Sequence, residues 1–293
     1  MPLFWVVLCS AMLTNTAPVR AVSVIDDAGR QVNLPSPATR VIALSPALTE
    51  LVYAAGAGDR LAGAVEYSDH PQAARKLPRV GDALALQMER ILSLQPDLIL
   101  AWKRGNNPRQ LERLAELGVP IYYHDVEQLE DVASTLERLG ALLGTPADAA
   151  AEAFRQRLAR LGTGAVHAVP AVKVFYQVWP RPLMTINGRH VISDLIGRCG
   201  GSNVFAGEPV LVPQIGIEAV VAAAPEAIIA PAGMGAADAG SPLAHWRRYG
   251  GIPAVAGGFL FVVDGDAISR ATPRLLDAGE AICSQLDKVR RAR

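Results

Sequence analysis

Short apolar runs alternate with stretches of helical periodicity along most of the chain, the signature of an α/β protein. Residues 41–44 form a short buried-strand pattern, and Ser45-Pro46 then opens a helix. A serine hydroxyl caps, proline suits the first helical position, and Gly56 closes the helix. A strand follows at 98–101. Asn107-Pro108 starts a helix to Leu117 that Gly118 closes, residues 119–123 give a strand, and 129–143 give a helix. Thr145-Pro146-Ala147-Asp148 supplies a capping hydroxyl, a first-turn proline and an acid at the positive end of a helix over 145–161. Residues 162–170 read as loop, and a new strand begins at Val172.

One stretch repeats. Glu89 is followed by an apolar helix, Pro96-Asp97 and a strand ending in Ala101. Glu218 is followed, at the same spacing, by an apolar helix, Pro225-Glu226 and a strand ending in Ala230. Helix–proline–strand units are common in α/β proteins, yet two copies predict two similar lobes with one glutamate near a helix start on each. The expected architecture is a mostly parallel sheet flanked by helices in each lobe, with one long rigid helix joining them. Residues 1–21 form a signal peptide, 22–144 the N-terminal lobe, 145–163 the connecting helix and 164–293 the C-terminal lobe.

The signal peptide rests on an apolar run at 3–13, too short to span a bilayer, and on small residues before a cut after Ala21. No Lys or Arg precedes the run, and a retained anchor is the alternative. Cys9 follows Leu8 rather than a small residue, which argues against lipid modification. Export from the cytoplasm is the expectation that follows. The 28 Lys+Arg and 28 Asp+Glu balance, which excludes the basic surplus of a nucleic-acid binder. Beyond the signal, Cys199 and Cys283 remain: one disulfide, or two buried thiols.

Catalytic and metal signatures are missing. None of the five histidines sits at ligand spacing with another His, Cys or acid. There is no nucleophile elbow, no phosphate-cradling loop, and no dinucleotide spacing in the glycine-rich stretch 233–240. No metal and no cofactor are expected. Aromatic and charged residues instead gather beyond strand ends, where α/β sheets present ligands: Tyr67, Trp102, Trp179 and Met184, Asp266 and Arg270. Each alone reads as loop or core packing. Together they suggest an aromatic-walled cleft with polar anchors.

Six segments carry a family resemblance. They are Val41-Ile-Ala-Leu-Ser-Pro-Ala-Leu-Thr-Glu-Leu51, Tyr67-Ser-Asp-His-Pro71, Glu89-Arg-Ile91, Pro96-Asp-Leu-Ile-Leu-Ala-Trp102 with Gly105-Asn106, Cys199-Gly-Gly-Ser-Asn203, and Arg270-Ala-Thr-Pro-Arg274. In these the chain resembles the periplasmic solute-binding proteins of ABC importers that carry vitamin B12, haem or ferric siderophores, and most of all the cobalamin branch. The resemblance runs from about Arg40 to Leu286. It implies two lobes with little hinge motion and a non-enzymatic carrier that acts as a monomer. It further implies a corrinoid ligand held by Tyr67, Trp102, Asp266 and Arg270. Glu89 and Glu218 would dock on a membrane permease that works with an ATPase, and Cys199 and Cys283 would form a disulfide.

The chain departs from the family at two walls, where Ala83 and Val212 stand in place of tryptophans. Trp179 and Met184 are expected to compensate, and a smaller corrinoid such as cobinamide becomes a candidate. Haem or a ferric siderophore is the alternative, with Tyr67 or His70 as axial ligand. An exported hydrolase using Asp69, His70 and Asp266 is the remote one.

Overall fold

The computed structural model describes residues 21–163, 170–233 and 241–293. The expected signal peptide and the glycine-rich stretch after Gly233 therefore lie outside the described residues, Ala21 and Gly233 excepted.

The chain begins with a hairpin, β1 (Val22–Ile25) and β2 (Gln31–Leu34), antiparallel across the turn at Asp26–Arg30. Then come β3 (Val41–Ala43), α1 (Pro46–Ala54) and β4 (Leu61–Ala64). Ser45 caps α1 by accepting the Leu48 N–H at 3.2 Å, and Pro46 occupies the first turn, as the sequence predicts. The lobe continues through α2 (Met88–Ser93), β5 (Leu98–Trp102), α3 (Pro108–Glu116), β6 (Ile121–His124) and α4 (Glu130–Leu143). Strand order is β4-β3-β5-β6, all parallel.

Next is α5 (Asp148–Arg160). It starts three residues later than the sequence pattern suggests. The Thr145 hydroxyl donates to the Ala55 carbonyl at 2.6 Å instead of capping, so the first turn tethers the chain to α1. Near its C-terminal end α5 is held on both sides: Arg155 binds Glu130 and Glu137 of α4, and Arg157 binds Asp277 and Glu280 of the second lobe. Ala151, Phe154 and Leu158 bury one stripe of the helix.

The second lobe runs β7 (Val172–Tyr176), the hairpin β8 (Trp179–Pro180) and β9 (Leu183–Met184), α6 (Val191–Arg198), β10 (Gly201–Asn203), α7 (Ile217–Ala223), β11 (Ala227–Pro231), α8 (Pro253–Ala256), β12 (Leu260–Val263), α9 (Gly265–Ser269) and α10 (Leu275–Arg291). Its sheet, β10-β7-β11-β12, is again all parallel and has the same winding as the first. Cys199 and Cys283 form a disulfide that ties α6 to α10.

The repeat seen in the sequence is a repeat of geometry. Glu89 is the second residue of α2 and Glu218 the second of α7, and both are exposed. The residue before each proline turns into the left-handed region, Gln95 at φ 48° and Ala224 at φ 46°. A following proline disfavours the α region at that position, so each helix must break there. Asp97 and Glu226 then clamp the neighbouring strand in the same way. Each accepts a backbone N–H at 2.9 Å, from Arg40 and Lys173 respectively, and returns its own N–H to the carbonyl of the same residue.

A single apolar cluster spans both lobes, from Val32 and Leu34 through α1, α4 and α5 to α6 and α10. A continuous core resists large hinge motion, because separating the lobes exposes apolar surface at roughly 25 cal/mol per Å².

Candidate functional site

Both sheets point their carboxyl ends at one cavity of about 1020 Å³ between the lobes. The first lobe contributes the start of α1 at Ser45 to Ala47, the turn after β5 with Trp102 and Arg104, and the chain after β6 from His124 to Val126. The second contributes His190 and Val191 at the start of α6, the strap Val210 to Val212, Ala232 after β11, and the α9 segment from Asp264 to Ala271.

Trp102 is the large aromatic wall, 42% exposed. Its ring lies over Gly105, where a Cβ would come within 1.8 Å of the ring, so only glycine allows that orientation. Asn106 fixes the turn. Its Oδ1 accepts the Trp102 N–H at 2.7 Å, and its Nδ2 donates to the carbonyls of Leu44 and Ala83. Ala83, one of the two lost aromatic walls, is thus strapped to the turn that holds Trp102. Val212, the other, lines the cavity.

Arg270 is almost fully buried and joins the lobes. Its guanidinium donates to Glu50 at 2.7 Å, Asp69 at 2.9 Å, Asp266 at 3.2 Å and the Tyr67 carbonyl at 3.2 Å. Burial works against its charge, but the carboxylates of Glu50 and Asp69 hold its pKa above the ordinary value. Reciprocally, burial pushes the Asp69 carboxyl up, but the hydrogen bond and charge of Arg270, helped by Arg75, together hold it below the ordinary range. Glu50, buried in α1, also accepts from Thr272 at 3.1 Å and Arg274 at 3.2 Å.

On the opposite wall Arg104 pairs with Asp125 at 2.8 Å and with Glu127. Burial raises the Asp125 pKa, and Arg104 only partly offsets this. Beneath this wall Asp27 takes Arg138 at 2.7 Å and lies 3.3 Å from His124 Nδ1. Among the described residues lining the cavity, both guanidinium groups are therefore already matched by carboxylates of the protein.

The structure brings Trp102, Asp266 and Arg270 together on the cavity wall. Tyr67 does not line it. Its ring is 77% exposed and its backbone takes φ 62°, which turns the peptide so that its carbonyl meets Arg270. Trp179 and Met184 pair with each other in the β8–β9 hairpin, outside the lining; Met184 also bridges to Gln214, just beyond the strap that does line it. His70 is exposed and away from the lining. Sequence reasoning missed Glu50, Arg104, His124 and His190. Glu50 and Arg104 lay inside or beside quoted motifs, so a signal existed. The histidines had none, because what brings them together is the meeting of two lobes.

The chain matches the family model described as "Periplasmic binding protein" over residues 41–267. It is 37% identical over 259 residues to a vitamin B12-binding protein of Vibrio parahaemolyticus, covering 88% of this chain and 92% of that one. Among solved structures it resembles the periplasmic vitamin B12 binding protein BtuF of Vibrio cholerae, with a TM-score of 0.78 and 36% identity, over 86% of this chain and 98% of that one. It also resembles a periplasmic heme binding protein from Pseudomonas aeruginosa, with a TM-score of 0.69 and 27% identity, over 84% and 92% of the two chains.

Proposed function

The chain belongs to the periplasmic binding protein family, and from that premise we propose that it captures a corrinoid, vitamin B12 or cobinamide, between its lobes and delivers it to an ABC permease. As a member of that family it is a solute carrier and not an enzyme. It works in the periplasm as a monomer and needs no cofactor; the corrinoid is its cargo.

The observation that carries the reading is the charge balance of the cavity. Arg104 and Arg270 are each paired with two or more protein carboxylates, and Asp264 adds further negative charge. A corrinoid carries a rim of neutral carboxamides, which such a wall can bind by hydrogen bonds. Haem brings two carboxylates, which would need a free cation or would have to break an existing pair at a cost of several kcal/mol. The aromatic face of Trp102 suits a flat macrocycle. The loss of aromatic bulk at Ala83 and Val212 leaves room and removes stacking, which favours cobinamide relative to the full cobalamin.

Trp102, Asp266 and Arg270 hold the ligand, with Tyr67, Trp179 and Met184 at the rim. Glu89 and Glu218, exposed at equivalent helix starts, meet two arginines of the permease, and the ATPase drives release on its far side. Two separated charge pairs orient docking and weaken as salt screens them.

Calorimetric titration with cyanocobalamin, cobinamide and haemin tests this. The expected result is heat with both corrinoids, a tighter constant for cobinamide, and a weak or absent response to haemin. No heat from either corrinoid at concentrations on the order of tens of micromolar refutes the reading. Haemin binding with a sharp Soret band would favour the haem alternative.

A further inference from the structure

His190 occupies an unusual place. It precedes α6, lines the cavity from the second lobe, and stands close enough to Arg104 of the first lobe to feel its charge. Its ring is oriented by a bond on one side only. Nδ1 accepts the Ile192 N–H at 3.2 Å and so caps the helix. A neutral imidazole whose Nδ1 accepts must carry its hydrogen on Nε2, at the far edge of the ring. No hydrogen bond within the described residues uses that Nε2.

The segment around the ring is rigidly held. Asn187 accepts the Arg189 N–H at 2.9 Å and donates to the Glu208 carbonyl at 3.0 Å, while Ser193 donates its hydroxyl to the Asn187 carbonyl at 2.7 Å. Four residues into α6, Asp194 accepts the Leu129 N–H at 2.9 Å, which ties the helix to the first lobe. The imidazole is thus a preorganised group whose position little depends on ligand. Burial first, and the Arg104 charge second, keep it uncharged.

We propose that His190 is a specificity-determining residue of the cleft, a fixed and uncharged N–H donor that takes a carboxamide oxygen on the rim of the ligand. The proposal rests on the corrinoid reading and adds the chemistry of one contact. A neutral donor whose neighbouring cation, Arg104, is already paired with Asp125 and Glu127 binds an amide carbonyl without offering a carboxylate a free counter-charge. The two lobes then share recognition: Trp102 faces the macrocycle and His190 reads its edge.

The experiment compares His190→Gln and His190→Asn in the full-length protein, by calorimetry with cyanocobalamin, cobinamide and the monocarboxylic acids made from cyanocobalamin by mild hydrolysis. Glutamine presents an acceptor for the Ile192 N–H and an N–H donor beyond it, in the manner of the imidazole. Asparagine keeps a strong cap but falls short of the cavity. The expected result is affinity within about 2-fold of wild type for His190→Gln, and a loss of roughly 3- to 10-fold for His190→Asn with an unchanged thermal midpoint. Wild type should also prefer cyanocobalamin over its acids, a preference that His190→Asn narrows. Equal affinities for wild type and His190→Asn overturn the proposal. So does an equal loss in both variants accompanied by a lowered midpoint, which would mark His190 as a cap alone. If wild type binds neither corrinoid, the functional reading fails and takes this inference with it; binding that is blind to residue 190 removes the inference alone.

Discussion

Glu50 offers the sharpest test of how the lobes are held. Its side chain is 3% exposed, and it accepts from three groups on the segment between α9 and α10: Arg270, Thr272 and Arg274. Removing one partner of a buried pair costs about 3–5 kcal/mol when the other is left alone. Here the loss is cushioned. Arg270 retains Asp69, Asp266 and the Tyr67 carbonyl, and Arg274, 26% exposed, can turn to water. Thr272, fully buried, loses its acceptor, worth about 1 kcal/mol. Glu50→Ala should therefore cost about 2–4 kcal/mol, with a thermal midpoint lower by roughly 5–10 °C. The shorter-range Glu50→Gln keeps an acceptor for Thr272 and should cost about half as much. Urea unfolding followed by tryptophan fluorescence gives the free energy. Amide exchange should quicken together in α1 and in residues 270–276, since both lobes share the bond network. A Glu50→Ala protein within about 1 kcal/mol of wild type, or faster exchange confined to one lobe, would refute the reasoning.

Three further outcomes follow from the same structure. The Cys199–Cys283 bridge closes a separation of 84 residues, so replacing both with serine should cost up to about 4.5 kcal/mol by loop entropy, read by urea unfolding with and without reductant. Glu89→Ala combined with Glu218→Ala should leave ligand titrations unchanged and cut uptake in a reconstituted importer, most at low salt; full uptake would disprove the docking role. His190 has its pKa pushed down to about 4 from an unfolded value of 6.5, by burial first and then by Arg104. Its folded value lies below its unfolded one, so the stabilisation is full above pH 6.5 and is lost as pH falls towards 4, by at most about 3 kcal/mol. His190→Asn should flatten the stability curve across that window, as measured by thermal unfolding from pH 7.5 to 4.

Much of the fold was legible because its determinants are local. Ser45-Pro46, Asn107-Pro108 and the Glu–Pro–strand repeat act through capping, ring constraint and periodicity within a few residues, and α1, α3 and the paired units at α2–β5 and α7–β11 formed where they were expected. The start of α5 was misplaced because Thr145 had a nonlocal alternative in the Ala55 carbonyl, and a hydroxyl goes to whichever acceptor the packed chain offers.

For the site the division is the same. Sequence alone determined that the chain is a two-lobed α/β carrier, that Trp102, Asp266 and Arg270 follow strand ends, and that Glu89 and Glu218 occupy matching positions. Only the tertiary structure decided which residues meet. Glu50 is 220 residues from Arg270, and Arg104 and His190 belong to different lobes, so no periodicity records either encounter. It also decided the charge of the cleft. A list of arginines and acids gives their number, but the pairing that leaves the described residues of the cavity wall without a free guanidinium depends on distances of about 3 Å, at which Coulomb attraction and hydrogen bonding act together.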